Sequence, residues 1–91
     1  MPDKKEIPVS FPPHLQGGVY SNNMRVTHTK EEFIMDFLMV AAPAGAVTAR
    51  VIVNPGHMKR IANALQSNIR RYEEQFGPIE PAEEPKGSLP H

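Results

Sequence analysis

The stretch from residue 54 to 77, NPGHMKRIANALQSNIRRYEEQFG, constrains this chain more than any other, because it specifies one amphipathic helix and marks both of its ends. Asn54 suits the N-cap, where its side-chain oxygen can accept from a free N–H of the first turn. Pro55 then takes the first helical position, where a missing N–H costs nothing. Met58, Ile61, Ala62, Leu65, Ile69, Tyr72 and Phe76 recur at steps of three and four and fall in a stripe roughly 100° wide. Arg60, Asn63, Ser67, Arg71 and Glu74 lie opposite. Arg70 and Arg71 stand four and three residues before Glu74, the spacing of weak helical ion pairs. Gly77 offers the left-handed position after the last turn, and Pro78 prevents continuation.

The chain has 91 residues, no cysteine and ten prolines. Pro2, Pro8, Pro12 and Pro13 precede Gly17; Pro78, Pro81, Pro85 and Pro90 follow Gly77; only Pro43 and Pro55 lie between. The distribution divides the chain into a flexible Pro-rich arm over residues 1 to 17, one domain over residues 18 to 79 and a disordered Pro-rich acidic tail over residues 80 to 91. A domain of about 60 residues buries only about 60% of its unfolded surface and needs a staple. Without a disulfide, self-association is the expected one. Lys plus Arg and Asp plus Glu number ten each, so no general attraction to phosphate is implied. No apolar run is long enough for a signal peptide or a membrane span, and a cytoplasmic location is expected.

The domain begins with three strand patterns. Residues 19 to 28, VYSNNMRVTH, alternate so that Tyr20, Asn22, Met24, Val26 and His28 share one face. Residues 32 to 40, EFIMDFLMV, are apolar on both faces apart from Asp36, as a central strand covered on two sides would be. Residues 41 to 46, AAPAGA, are expected to form a loop. Residues 47 to 53 supply a third strand, with Val47, Ala49, Val51 and Val53 against Thr48, Arg50 and Ile52. Within the arm, residues 7 to 11 carry Ile7, Val9 and Phe11 and could lie as an extended strand on a sheet edge, where the N–H missing at Pro8 is tolerated.

GVYSN, HTKEEFIMDF, ARVIVNP and ALQSNIRRYEEQFGPI, in that order and spacing, resemble the prokaryotic family called domain of unknown function 3467 over about residues 18 to 79. The positions that match its pattern are Tyr20, Phe33, Asp36, Phe37, Pro55, Asn68, Tyr72, Glu73, Phe76 and Gly77. The resemblance implies a small compact prokaryotic protein and brings no catalytic motif with it.

Candidate chemistry is sparse. His28, His57 and Asp36 could in principle meet as a metal or acid–base site, but their spacing matches no metal-binding helix, so no metal, cofactor or catalytic residue is assigned. Asp36, inside an apolar strand, must be paired, exposed at an edge or neutralised. Arg25 or Arg50 on a neighbouring strand is the expected partner, and such a pair would fix register. Lys59, Arg60, Arg70 and Arg71 could form a phosphate-binding surface, yet they flank the polar face in two lines without stacking aromatics, which disfavours nucleic acid. Asn68, beside Tyr72, could set the register of an oligomer interface or simply be exposed.

The chain is therefore expected to be an α+β domain, a three-stranded antiparallel meander with one C-terminal helix of about 22 residues laid across it. At 1.5 Å per residue that helix overhangs three strands spaced about 4.8 Å apart, so a homodimer or larger even oligomer is expected to cover it. Pairing would use a sheet edge, the helix, or both. Phe33, Met35, Phe37, Met58, Ile61, Leu65, Asn68, Ile69, Tyr72 and Phe76 are the expected core and interface. The expected role is a non-enzymatic structural or adaptor module, with another protein possible at the Pro-rich tails. The alternative is a binder of extended polypeptide, or weakly of nucleic acid through the basic helix face.

Overall fold

A computed structural model describes residues 6 to 83. Three antiparallel strands, β1 (Asn23–His28), β2 (Phe33–Ala41) and β3 (Ala44–Val53), stand in the order β1-β2-β3 and are followed by one helix, α1 (Pro55–Phe76). The fold is the α+β meander-plus-helix that the alternation and periodicity predict. A short 3-10 turn at Pro13–Leu15 precedes it. The expected arm and tail fall partly outside the described residues, at 1 to 5 and 84 to 91.

The register explains the sequence of each strand. Val26, Met35 and Val51 form one cross-strand row and Met24, Phe37 and Ala49 another, so one face of the sheet is apolar from edge to edge. The opposite face carries the row Arg25, Asp36, Arg50 between the rows Thr27, Ile34, Ile52 and Asn23, Leu38, Val47. Among the described residues β2 is the only strand with neighbours on both sides, and it holds the three buried ones, Met35, Asp36 and Leu38.

Four details depart from the sequence-based expectations. β1 begins at Asn23 rather than near residue 19: before it one backbone bond, from Asn22 N–H to Leu38 O at 3.0 Å, is joined by side-chain bonds in place of a regular ladder. Ser21 Oγ donates to the Leu38 carbonyl at 3.0 Å, while Asn22 accepts from Val40 N–H at 2.9 Å and donates to Val40 O at 2.8 Å. The loop expected over residues 41 to 46 shrinks to Ala42 and Pro43, joined by a cis peptide, since Ala41 pairs with Ala44 and both strands run to the turn. Thr48 is a bulge: Phe37 pairs with Ala49 and Leu38 with Val47, leaving Thr48 out of the ladder with its hydroxyl donating to Phe37 O at 3.1 Å. One extra residue reverses the alternation, so Val47 shares a face with Leu38 and not with Val51.

The fourth departure concerns α1. Its ends are as expected: Asn54 Oδ1 accepts from His57 N–H at 2.7 Å, and Gly77, at φ 95°, donates its N–H to Glu73 O. The helix does not lie across the sheet, however. It makes few contacts with any strand and contributes no buried residue. Asn54 alone separates the end of β3 from the first turn of α1, whereas a chain that folds a helix back over its own strand commonly uses a connection of 2–6 residues. Without that loop the helix leaves the end of the sheet, and the molecule measures 57 × 34 × 33 Å.

Candidate interaction surface

At the centre of the sheet Asp36, 3% exposed, is held by both neighbouring strands. Arg50 from β3 donates through Nε to Oδ1 at 2.6 Å and through a terminal nitrogen to Oδ2 at 2.9 Å, the bidentate geometry that suits a guanidinium. Arg25 from β1 stands 3.5 Å from Oδ2. The hydrogen bond from Arg50 holds the Asp36 carboxyl below its ordinary range; desolvation opposes that shift, and the charge of Arg50 and the contact with Arg25 reinforce it. The same bond pushes Arg50 upward. The pairing inferred from an acid inside an apolar run is thus made with both arginines at once. It spans all three strands at one register position, and a one-residue slip of either edge strand would put the arginine on the opposite face.

The apolar face is left largely open. Met35 is buried at its centre and Phe33 and Phe37 are half-buried, while Met24, Val26, Met39 and Val51 are 39 to 46% exposed. His28 lies on Phe33 with ring centroids 5.4 Å apart, closing the end of the same face. The helix is open in the same way. Met58 and Ile61, nearest the sheet, are half-buried, but Leu65, Ile69, Tyr72 and Phe76 are 48 to 66% exposed, with the Tyr72 and Phe76 rings 4.9 Å apart on the outer turns. Isolated exposed apolar side chains are ordinary, but contiguous ones mark interaction surfaces. Among the described residues there are such surfaces on the sheet and on the helix, and neither covers the other.

The remaining sequence candidates separate. Asn68 is exposed and donates to Ala64 O at 2.9 Å, a bond within its own helix, so it does not reach Tyr72. Lys59 and Arg60 lie about three turns, roughly 16 Å, from Arg70 and Arg71, and Arg60 faces His57 Nδ1 at 3.0 Å. Arg70 turns back to Ser67 Oγ at 3.3 Å, and neither Arg70 nor Arg71 forms the anticipated ion pair with Glu74. Glu73 instead accepts from Ile79 N–H at 2.9 Å and fastens the chain after the helix. His28, His57 and Asp36 are engaged separately. Among the described residues no group of three or more His, Asp or Glu is placed to hold a metal ion, and no helix is long and apolar enough to cross a membrane. Sequence reasoning missed the Ser21 and Asn22 clasp on β2, for which an SNN run before an alternating strand is only a weak signal.

Neither the curated proteins nor the solved structures contain a significant match. One family model does match, and it covers residues 1 to 81, so it extends through the Pro-rich N-terminal arm that the sequence resemblance had left outside. On that match, across most of its length, the chain belongs to the family described as Protein of unknown function (DUF3467).

Proposed function

We infer that this protein is a non-enzymatic, cytoplasmic self-assembling module, a homodimer or larger even oligomer that serves as a structural or adaptor component. The observation that carries the reading is the pair of uncovered apolar surfaces, the α1 stripe at Leu65, Ile69, Tyr72 and Phe76 and the sheet face around Met35. Each has the chemistry the other lacks as a cover. In an isologous dimer the helix of one copy would lie on the sheet of its partner and the converse, burying both pairs at once. Such an arrangement would supply the core that the single chain lacks, since among its described apolar residues only Met35 and Leu38 are buried. The Pro-rich C-terminal tail would remain available to a further protein.

Sedimentation velocity and light scattering at micromolar concentration test this. Wild type is expected to run as a dimer or larger even species, and Leu65→Glu with Ile69→Glu to shift it to monomer. A wild-type monomer that stays fully folded would overturn the reading. Met24, Met35 and Met39 on the sheet face favour one second reading, capture of an extended polypeptide, since methionine adapts to varied partners. Phe33→Ala or Phe37→Ala would then weaken binding of an unfolded client while leaving the oligomer intact; loss of the oligomer would assign those rings to the assembly instead.

A further inference from the structure

We propose that residues 7 to 11 of one copy add a strand to the outer edge of β3 in a second copy. This inference rests on the self-assembly reading and specifies its geometry. In an extended strand, successive residues direct both their side chains and their backbone hydrogen-bonding groups to alternate sides. Ile7, Val9 and Phe11 therefore share one face and one hydrogen-bonding edge, and Pro8, Ser10 and Pro12 share the other face and the other edge. The first edge keeps every N–H and the second lacks two of three. A segment of this composition can join a sheet on one side only, and its prolines then protect the new outer edge from further pairing.

Within one chain the segment is undocked. Ile7, Val9 and Phe11 are 65 to 90% exposed, and no hydrogen bond joins residues 7 to 11 to any strand. The complementary edge exists in the same protein. From Ala49 to Val53, β3 offers five residues of unbroken ladder beyond the Thr48 bulge, without proline and with one charge, Arg50, whose guanidinium is turned to Asp36. The five residues from Ile7 to Phe11 match that length. Laid parallel to β3 there, Ile7, Val9 and Phe11 would bond the outward backbone groups around Arg50 and Ile52, stand beside Ala49, Val51 and Val53, and continue the apolar face past them. With the turn at Pro13–Leu15 opened, residues 12 to 22 can span at most about 40 Å, more than either short dimension of the molecule, so an arm can reach a partner packed against its own sheet. The family match, which runs through this arm, is what a segment used in the fold would require.

Amide exchange of the full-length wild-type assembly, read by NMR, tests the parity directly. Ile7, Val9 and Phe11 amides are expected to exchange about tenfold more slowly than that of Ser10, the effect of a single net hydrogen bond. In a sample mixed from labelled and unlabelled protein, intermolecular contacts should join the arm to residues 49 to 53. Val9→Pro should abolish the protection, beyond the effect of Val9→Ala, whereas Ser10→Pro should leave it intact. Uniformly fast exchange in an intact dimer, contacts confined to one copy, or equal damage from Val9→Pro and Ser10→Pro would each overturn the proposal while leaving self-assembly standing. A folded monomer would overturn both.

Discussion

Asp36 is the residue on which the sheet's pH response should turn. Its folded carboxyl is held below the ordinary carboxylate value by Arg50 and Arg25, so the unfolded chain takes up a proton there first as pH falls. The contribution of this group is complete above the ordinary carboxylate range and is lost as pH drops through that range to the folded value. Thermal melts across acid pH should show this loss, and Asp36→Asn, which leaves two arginines facing a neutral amide, should lower the melting temperature at neutral pH and flatten the acid limb. The helix ends allow a cleaner measurement. Asn54→Ala removes the acceptor for His57 N–H and should cost about 1 kcal/mol in denaturant titrations. At Gly77 nothing crowds an added Cβ, but φ 95° with ψ 170° is a region nearly reserved for glycine, so Gly77→Ala should cost about 1–3 kcal/mol through the backbone alone.

At the scale of elements, the helix and the central strand were legible for different reasons. Asn54, Pro55 and Gly77 announce the limits of α1 because caps are local chemistry. An apolar run broken only by Asp36 announces a central strand because only such a strand has neighbours that can pair the acid. The Thr48 bulge and the two-residue turn at Ala42 and Pro43 were not legible, since the alternation in β3 continues past Thr48 as though the strand were regular and the alanines fit loop and strand alike. The exposed stripe makes a prediction at this scale. Leu65→Glu with Ile69→Glu should dissociate the assembly in sedimentation, and because α1 buries no residue on its own chain, helical circular dichroism should fall together with the dimer.

For the whole molecule, the radius of gyration of 16.8 Å exceeds the roughly 12 Å of a compact chain of this length. Periodicity states which face of α1 is apolar; it does not state what covers that face, and the single residue between β3 and α1 decides the matter against the chain's own sheet. If a partner completes the core, folding and association are one equilibrium. The melting temperature should then rise with protein concentration over the micromolar range, whereas a self-sufficient monomer would melt at one temperature throughout. Among the candidate-site residues, Phe33, Met35 and Phe37 were legible as the apolar face because strand parity fixes them. Asn68 was not, because a helical amide can bond back to its own turn at Ala64.

The bulge also makes β3 a strand read in two frames, odd-numbered residues facing the apolar side from Ala49 onward and even-numbered ones before it. Single-residue deletions should therefore be unequal. Removing Thr48 would close the ladder and leave every other side chain where it is. Removing Ala49 or Arg50 could be absorbed only by drawing the Thr48 hydroxyl into the row of Met24 and Phe37, so β3 holds one expendable position amid others that are not.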